Sequence, residues 1–169
     1  MNIYTELQKE HSKEQALKIA NYACSSDNHF AELMHCFLLN EYRTPQRAAW
    51  SVSWAAIKKP EMINPYIKDL VAQLSRKDVH PAVIRNSVRV LEKINIPEMY
   101  HADVMNACFS FIEDATTPGA IKAFSLTTLH NLSNIYPDIK SELKLIIESK
   151  FGNEKPAFQS RARKILKKL

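Results

Sequence analysis

Glycine is almost missing from this chain. Its 169 residues include only Gly119 and Gly152, about 1% against roughly 7% in average usage. A phosphate-cradling loop, a dinucleotide fingerprint or a set of tight hairpins needs several residues able to take positive φ, and two glycines do not supply them. That argues against the common nucleotide-dependent enzymes. Cysteine is scarce too: Cys24, Cys36 and Cys108 are odd in number, lack Cys-x-x-Cys spacing and lie near apolar or aromatic residues, the pattern of reduced thiols packed as small hydrophobes. No apolar run approaches the length of a bilayer span, and the polar opening MNIYTELQKEHSKEQ lacks an apolar signal core. A cytoplasmic location is the expectation.

Catalytic constellations are missing as well. His11, His29, His35, His80, His101 and His130 form no His-Glu-x-x-His and no pair at helical ligand spacing with a third ligand near. No Gly-x-Ser-x-Gly elbow surrounds a serine, and Glu113-Asp114 reads as a solvated helix end. The glycine- and serine-rich mobile loop of the all-helical lyases related to fumarase and aspartase has no counterpart here. No enzyme activity, metal or cofactor is expected.

What the chain does have is proline at regular intervals. Pro45, Pro81, Pro118 and Pro156 follow one another at 36, 37 and 38 residues, and Pro60, Pro97 and Pro137 at 37 and 40; Pro65 stands outside both combs. Proline fits the first turn of a helix and stops the helix before it, so two interleaved combs mean two helices per repeat. Pro60-Glu61-Met62, Pro97-Glu98-Met99 and Pro137-Asp138-Ile139 each place an acid in a first turn, where the helix dipole favours it, ahead of an apolar stripe. Ile84, Val88, Leu91 and Ile94 recur at helical spacing with Arg85, Arg89 and Glu92 expected opposite. The reading is one all-α domain: a cap over 1–27 with Ser12-x-x-Gln15 as its capping box, then helix pairs over 28–59, 60–95, 96–136 and 137–169, with Asn64 capping a helix at Pro65.

A helix pair of this period cannot bury its apolar face alone and gains stability by stacking on the next. The chain here resembles HEAT-repeat proteins, with armadillo-like proteins as close relatives. The resemblance rests on the paired-helix period and on a basic residue early in each second helix: Arg47, Arg85, Lys122 and Arg161. It implies an α-α superhelix of about four helix pairs and an acid in the turn before each basic residue. Glu41, Asp78, Asp114 and Glu154 are the candidates, at spacings of 6, 7, 8 and 7. The basic row then reads either as an ion-pair ladder or as a phosphate-binding stripe.

Trp50 and Trp54, one turn apart behind Arg47, read either as core fillers among four alanines or as a stacking surface beside a cation. The second option is similar to the HEAT-like DNA alkylation repair glycosylases, which use tryptophan and aspartate on a basic face, but no acid lies within RAAWSVSWAAI. Arg89 has no assigned acid and is the freer contact candidate, with His130 in the corresponding helix of the next pair. The C-terminal helix carries Arg161, Arg163, Lys164, Lys167 and Lys168 and no acid, so residues 156–169 hold the entire net charge of +5. It reads either as a polar end cap or as a binder of anions. The expected function is a non-enzymatic module that binds a protein or peptide along a groove lined by the second helices, with nucleic-acid binding as the alternative.

Overall fold

The computed structural model describes residues 1–169 and is helical throughout, with no strand. The chain, expected as one domain, parts into two compact units, Met1–Ile94 and Asn95–Leu169.

The first unit contains α1 (Ile3–Lys9), α2 (Lys13–Ala23), α3 (Asp27–Leu38), α4 (Arg43–Lys58), α5 (Pro60–Ile63), a 3-10 turn over Asn64–Tyr66, α6 (Ile67–Gln73) and α7 (Pro81–Leu91). Helix α4 packs against α1, α2, α3 and α7, and α6 packs against α7. The core is built from Ile3, Leu7, Ile19, Phe30, Leu33, Met34, Phe37, Val52, Ile63, Leu70, Val83 and Val90, with Ala48, Ala49, Ala55 and Ala56 where α4 meets its neighbours. Ser12, the expected cap, accepts from the Gln15 amide, and three further caps not foreseen from the sequence are Asn2, which accepts from Thr5, Ser26 from His29 and His80 from Ala82.

Three local expectations are corrected here. The capping box at Ser12 is half a box, because the Gln15 amide group turns to the Glu6 carbonyl and carboxylate at 2.8 and 3.0 Å instead of returning to Ser12. Asn64 does not cap a helix. It has helical dihedrals and belongs to the 3-10 turn that joins α5 to α6, so the helix begins at Pro60 and Pro65 only tightens it. Glu92 does not share the exposed side with Arg85 and Arg89 but is 6% exposed, because α7 is packed by both α4 and α6 and keeps only a narrow outer strip.

The second unit contains a 3-10 turn over Glu98–Tyr100, α8 (His101–Glu113), α9 (Gly119–Ser133), α10 (Ile139–Lys150), a 3-10 turn over Phe151–Asn153, and α11 (Pro156–Leu166). Helix α9 is its centre and packs against α8, α10 and α11. Val104, Cys108, Ile112, Leu126, Leu129, Leu143, Ile147 and Phe158 are fully buried. His101 is held by Tyr136 Oη at 3.0 Å and the Ile96 carbonyl at 2.7 Å. That satisfies both ring nitrogens within the fold and leaves none for a ligand. Pro60, Pro81, Pro118 and Pro156 stand at or just before helix starts, whereas Pro45 is the third residue of α4, and neither glycine has positive φ.

At the edge of the first unit, the Glu6 carboxylate receives Lys9 at 2.5 Å, Lys18 at 2.9 Å and Gln15, fastening α1 to α2. These donors, Lys9 foremost, hold its pKa down from 4.5 to about 2. A depressed carboxyl contributes stability that is complete above the unfolded pKa and is lost as pH falls through the folded one. Glu6→Gln should therefore abolish a component of acid destabilisation between pH 4.5 and about 2. Both tryptophans lie in the first unit, so urea unfolding followed by tryptophan fluorescence at several pH values measures that unit directly.

Candidate functional site

Helix α4 is buried along most of its circumference. What stays partly open is one stripe, Arg43, Arg47, Trp50, Trp54 and Ile57, at three- and four-residue spacing. Helix α7 has a matching stripe of Pro81, Arg85 and Arg89. The tryptophans are half-buried, and Trp54 packs against the edge of the core; the alanines fill its interior, because four helices crowd α4 and only small side chains let their backbones approach.

Side chains gather on these stripes. The Arg89 guanidinium lies over the Trp54 ring at 4.6 Å from its centroid and donates to Ser53 Oγ at 3.3 Å. Lys13 Nζ, from the start of α2, stands 5.9 Å from the same ring. The His11 ring, in the α1–α2 corner, is tilted against Trp50 at 5.9 Å. Arg47 donates to the Leu7 carbonyl at 2.7 Å, tying α4 to the end of α1. Arg85 is exposed and makes no hydrogen bond or ion pair. His80 is set edge-on to Tyr42 at 5.2 Å. Like charge runs through the group. Burial, Arg47 and Arg85 hold the His11 pKa below 6.5; burial, Arg85 and His11 do the same for His80; burial and Arg85 lower Arg89 against the pull of Glu92. Lys13 and His11 were not singled out from the sequence, since they belong to the cap and reach the site only because α2 docks on α4.

In the second unit the basic positions fare differently. Lys122, expected in the groove, is 1% exposed and forms an ion pair with Glu154. It is an internal cation, out of reach of a ligand. Arg161 donates to Thr127 Oγ1 and lies 5.8 Å from the centroid of Phe124. His130 is half-buried, its Nδ1 has no hydrogen-bond partner, and burial together with Lys168 and Lys140 lowers its pKa. On α11, Arg163 rests 5.2 Å from the Phe151 ring and Lys164 is exposed, as are Lys167 and Lys168 just beyond the helix.

The acid partners inferred from the turns are corrected. Asp78 pairs with Arg76 at 2.6 Å rather than with Arg85, Asp114 accepts from Thr116, and Glu154 takes Lys122 rather than Arg161. Arg47 is served by a carbonyl and not by Glu41. The one buried rung joins a basic residue to the acid of the following helix pair, not the preceding turn.

The comparisons agree with this architecture. A family model described as a HEAT repeat domain matches residues 3–169. The chain belongs to the HEAT-repeat family, a class of helical repeat scaffolds. No curated protein and no solved structure matches it. The match shows the repeat family and shows no relation to the DNA alkylation repair glycosylases in particular. No three His, Cys, Asp or Glu side chains gather as metal ligands, and no helix is long and apolar enough to cross a membrane.

Two outcomes test this geometry. Lys122→Ala strands the Glu154 carboxylate in a largely covered position and should cost about 3–5 kcal/mol, read by urea unfolding of the second unit's amide signals; Lys122→Met combined with Glu154→Gln should recover most of the loss. Arg85→Gln should raise the His11 pKa toward 6.5, with burial and Arg47 still holding it below. An NMR titration of the His11 ring measures that shift, and an unchanged value would mean that the two groups do not face each other.

Proposed function

We propose that the chain is a non-enzymatic interaction module that takes a protein or peptide partner on the outward stripes of its second helices. Trp50, Trp54, Arg85 and Arg89 supply the contacts in the first unit. The observation that carries this reading is the composition of the stripes on α4 and α7. Helices buried almost all round keep tryptophan and arginine at their open edge, and these residue types dominate the energetic centres of interfaces. Catalysis has little support. Cys36 and Cys108 are buried and their thiols are pushed up to about 11 and about 12, away from the reactive thiolate. The one serine–histidine contact, Ser25 Oγ to His29 Nδ1 at 2.9 Å with Tyr22 on the other ring nitrogen, sits at a helix corner, where Ser25 Oγ is already engaged with the Tyr22 carbonyl at 2.6 Å. A cytoplasmic location is part of the proposal, in keeping with three free cysteines.

A second reading, nucleic-acid binding, rests on a different observation: the exposed Arg163 and Lys164 on α11 and Lys167 and Lys168 just beyond it. The two readings separate in the laboratory. Panning the full chain against a random peptide library should recover ligands whose binding is weakened by Arg85→Ala and Arg89→Ala. Ligands indifferent to both substitutions, or none at all, would contradict the peptide reading. In a mobility-shift assay at low salt, the nucleic-acid reading expects binding to duplex DNA that falls steeply as salt rises and disappears when Lys164, Lys167 and Lys168 are neutralised.

A further inference from the structure

We infer that the cluster formed by Lys13, Arg47, Arg85, Arg89 and the two tryptophans is a docking site for an acidic peptide segment of a partner protein, one carrying carboxylates at alternate positions. The inference rests on the peptide-binding reading above and names the class of peptide.

Charge complementarity is the first support. Four permanent cations meet on one side of the first unit, and none is in an ion pair. The carboxylate nearest in effect, Glu92, is buried and pairs with Lys93 at 3.5 Å. The hydrogen-bond inventory gives the second. A guanidinium offers five N–H donors. Arg47 spends one on Leu7, Arg89 spends one on Ser53, and Arg85 spends none. Gathering like charges while leaving their donors unused gains nothing for the fold alone, and a bound anion would reverse that repulsion.

The tryptophans decide between kinds of anion. A nucleic-acid base needs an open aromatic face to stack on. Here Trp54 already carries the Arg89 guanidinium at 4.6 Å and Lys13 at 5.9 Å, and Trp50 carries the His11 ring. The Trp54 ring acts as a shelf for the Arg89 guanidinium, with Lys13 beside it. A fixed, planar guanidinium suits a carboxylate taken through two parallel hydrogen bonds. Spacing completes the argument. Arg85 and Arg89 are four residues apart on α7, a rise of roughly 6 Å. In an extended peptide, side chains two residues apart lie on one face about 6.7 Å from each other. An acidic residue at every second position therefore meets both arginines in turn.

The test uses the full-length chain and three fluorescent probes: a dodecapeptide of alternating Glu and Ser, the same peptide with Gln for Glu, and a single-stranded deoxyoligonucleotide of equal length. Anisotropy should show the Glu peptide binding, with affinity falling as salt rises, and the Gln peptide weaker by at least about tenfold. Arg89→Lys keeps the charge but removes the fork, and Arg85→Gln removes an exposed charge; each should weaken the Glu peptide by about tenfold while circular dichroism stays unchanged. Equal affinity for the Glu and Gln peptides would overturn the acidic class and leave peptide binding standing. Tighter binding of the oligonucleotide, or no binding of the Glu peptide, would overturn the inference, while the library experiment decides the broader reading separately.

Discussion

The interior of α4 is the constraint on which the first unit depends. Four helices press on it, and the chain accommodates them by giving α4 small inner residues: Ala48, Ala49, Ser51, Ser53, Ala55 and Ala56 are all buried. Close approach of backbones leaves no room for arginine or tryptophan between the helices, so these fall toward the outer strip, where Arg47 and the tryptophans stay half-buried and Trp54 packs against the edge of the core. The crossing of α4 and α7 then sets Ser53 beside Arg89 and Arg89 over Trp54. The cation–tryptophan cluster is a consequence of helix packing, not an addition to it.

The repeat places a basic residue early in each second helix, yet the four residues do four different things. Arg47 staples α4 to a carbonyl of α1, Arg85 stands in solvent, Lys122 is sealed into an ion pair, and Arg161 braces Thr127. A repeat defines a slot; what surrounds the slot decides its role. Burial turns Lys122 into a structural cation because α9 is packed on three sides by α8, α10 and α11. The same slot on α7 stays open at Arg85.

Helix content and pairing were legible because proline and the apolar period are local signals that need no tertiary knowledge. Pro60, Pro81 and Pro156 stand at the first turns of their helices as the combs imply. Asn64 was misread because the same local pattern, a small polar residue before proline, also fits a 3-10 continuation. The site was legible in part. Trp50, Trp54, Arg85 and Arg89 could be named, but not their arrangement. Lys13 and His11 carry no motif, and their approach to the tryptophans depends on how α2 docks against α4. The partner of Lys122 was also hidden, since Glu154 lies 32 residues away, in the next helix pair.

The proposed docking of an acidic segment against the cation cluster around Trp54 is open to direct measurement. The most direct measurement follows the two indole N–H signals in a proton–nitrogen spectrum as poly-glutamate is added. The chain has two tryptophans, and the Trp54 indole N–H is buried without a hydrogen-bond partner, so its shift reports the ring's immediate surroundings. If an acidic segment docks there, the Trp54 signal moves in a saturable, salt-sensitive way, and this response is lost in Arg89→Gln. A Trp54 signal that stays fixed while amides elsewhere respond would contradict it.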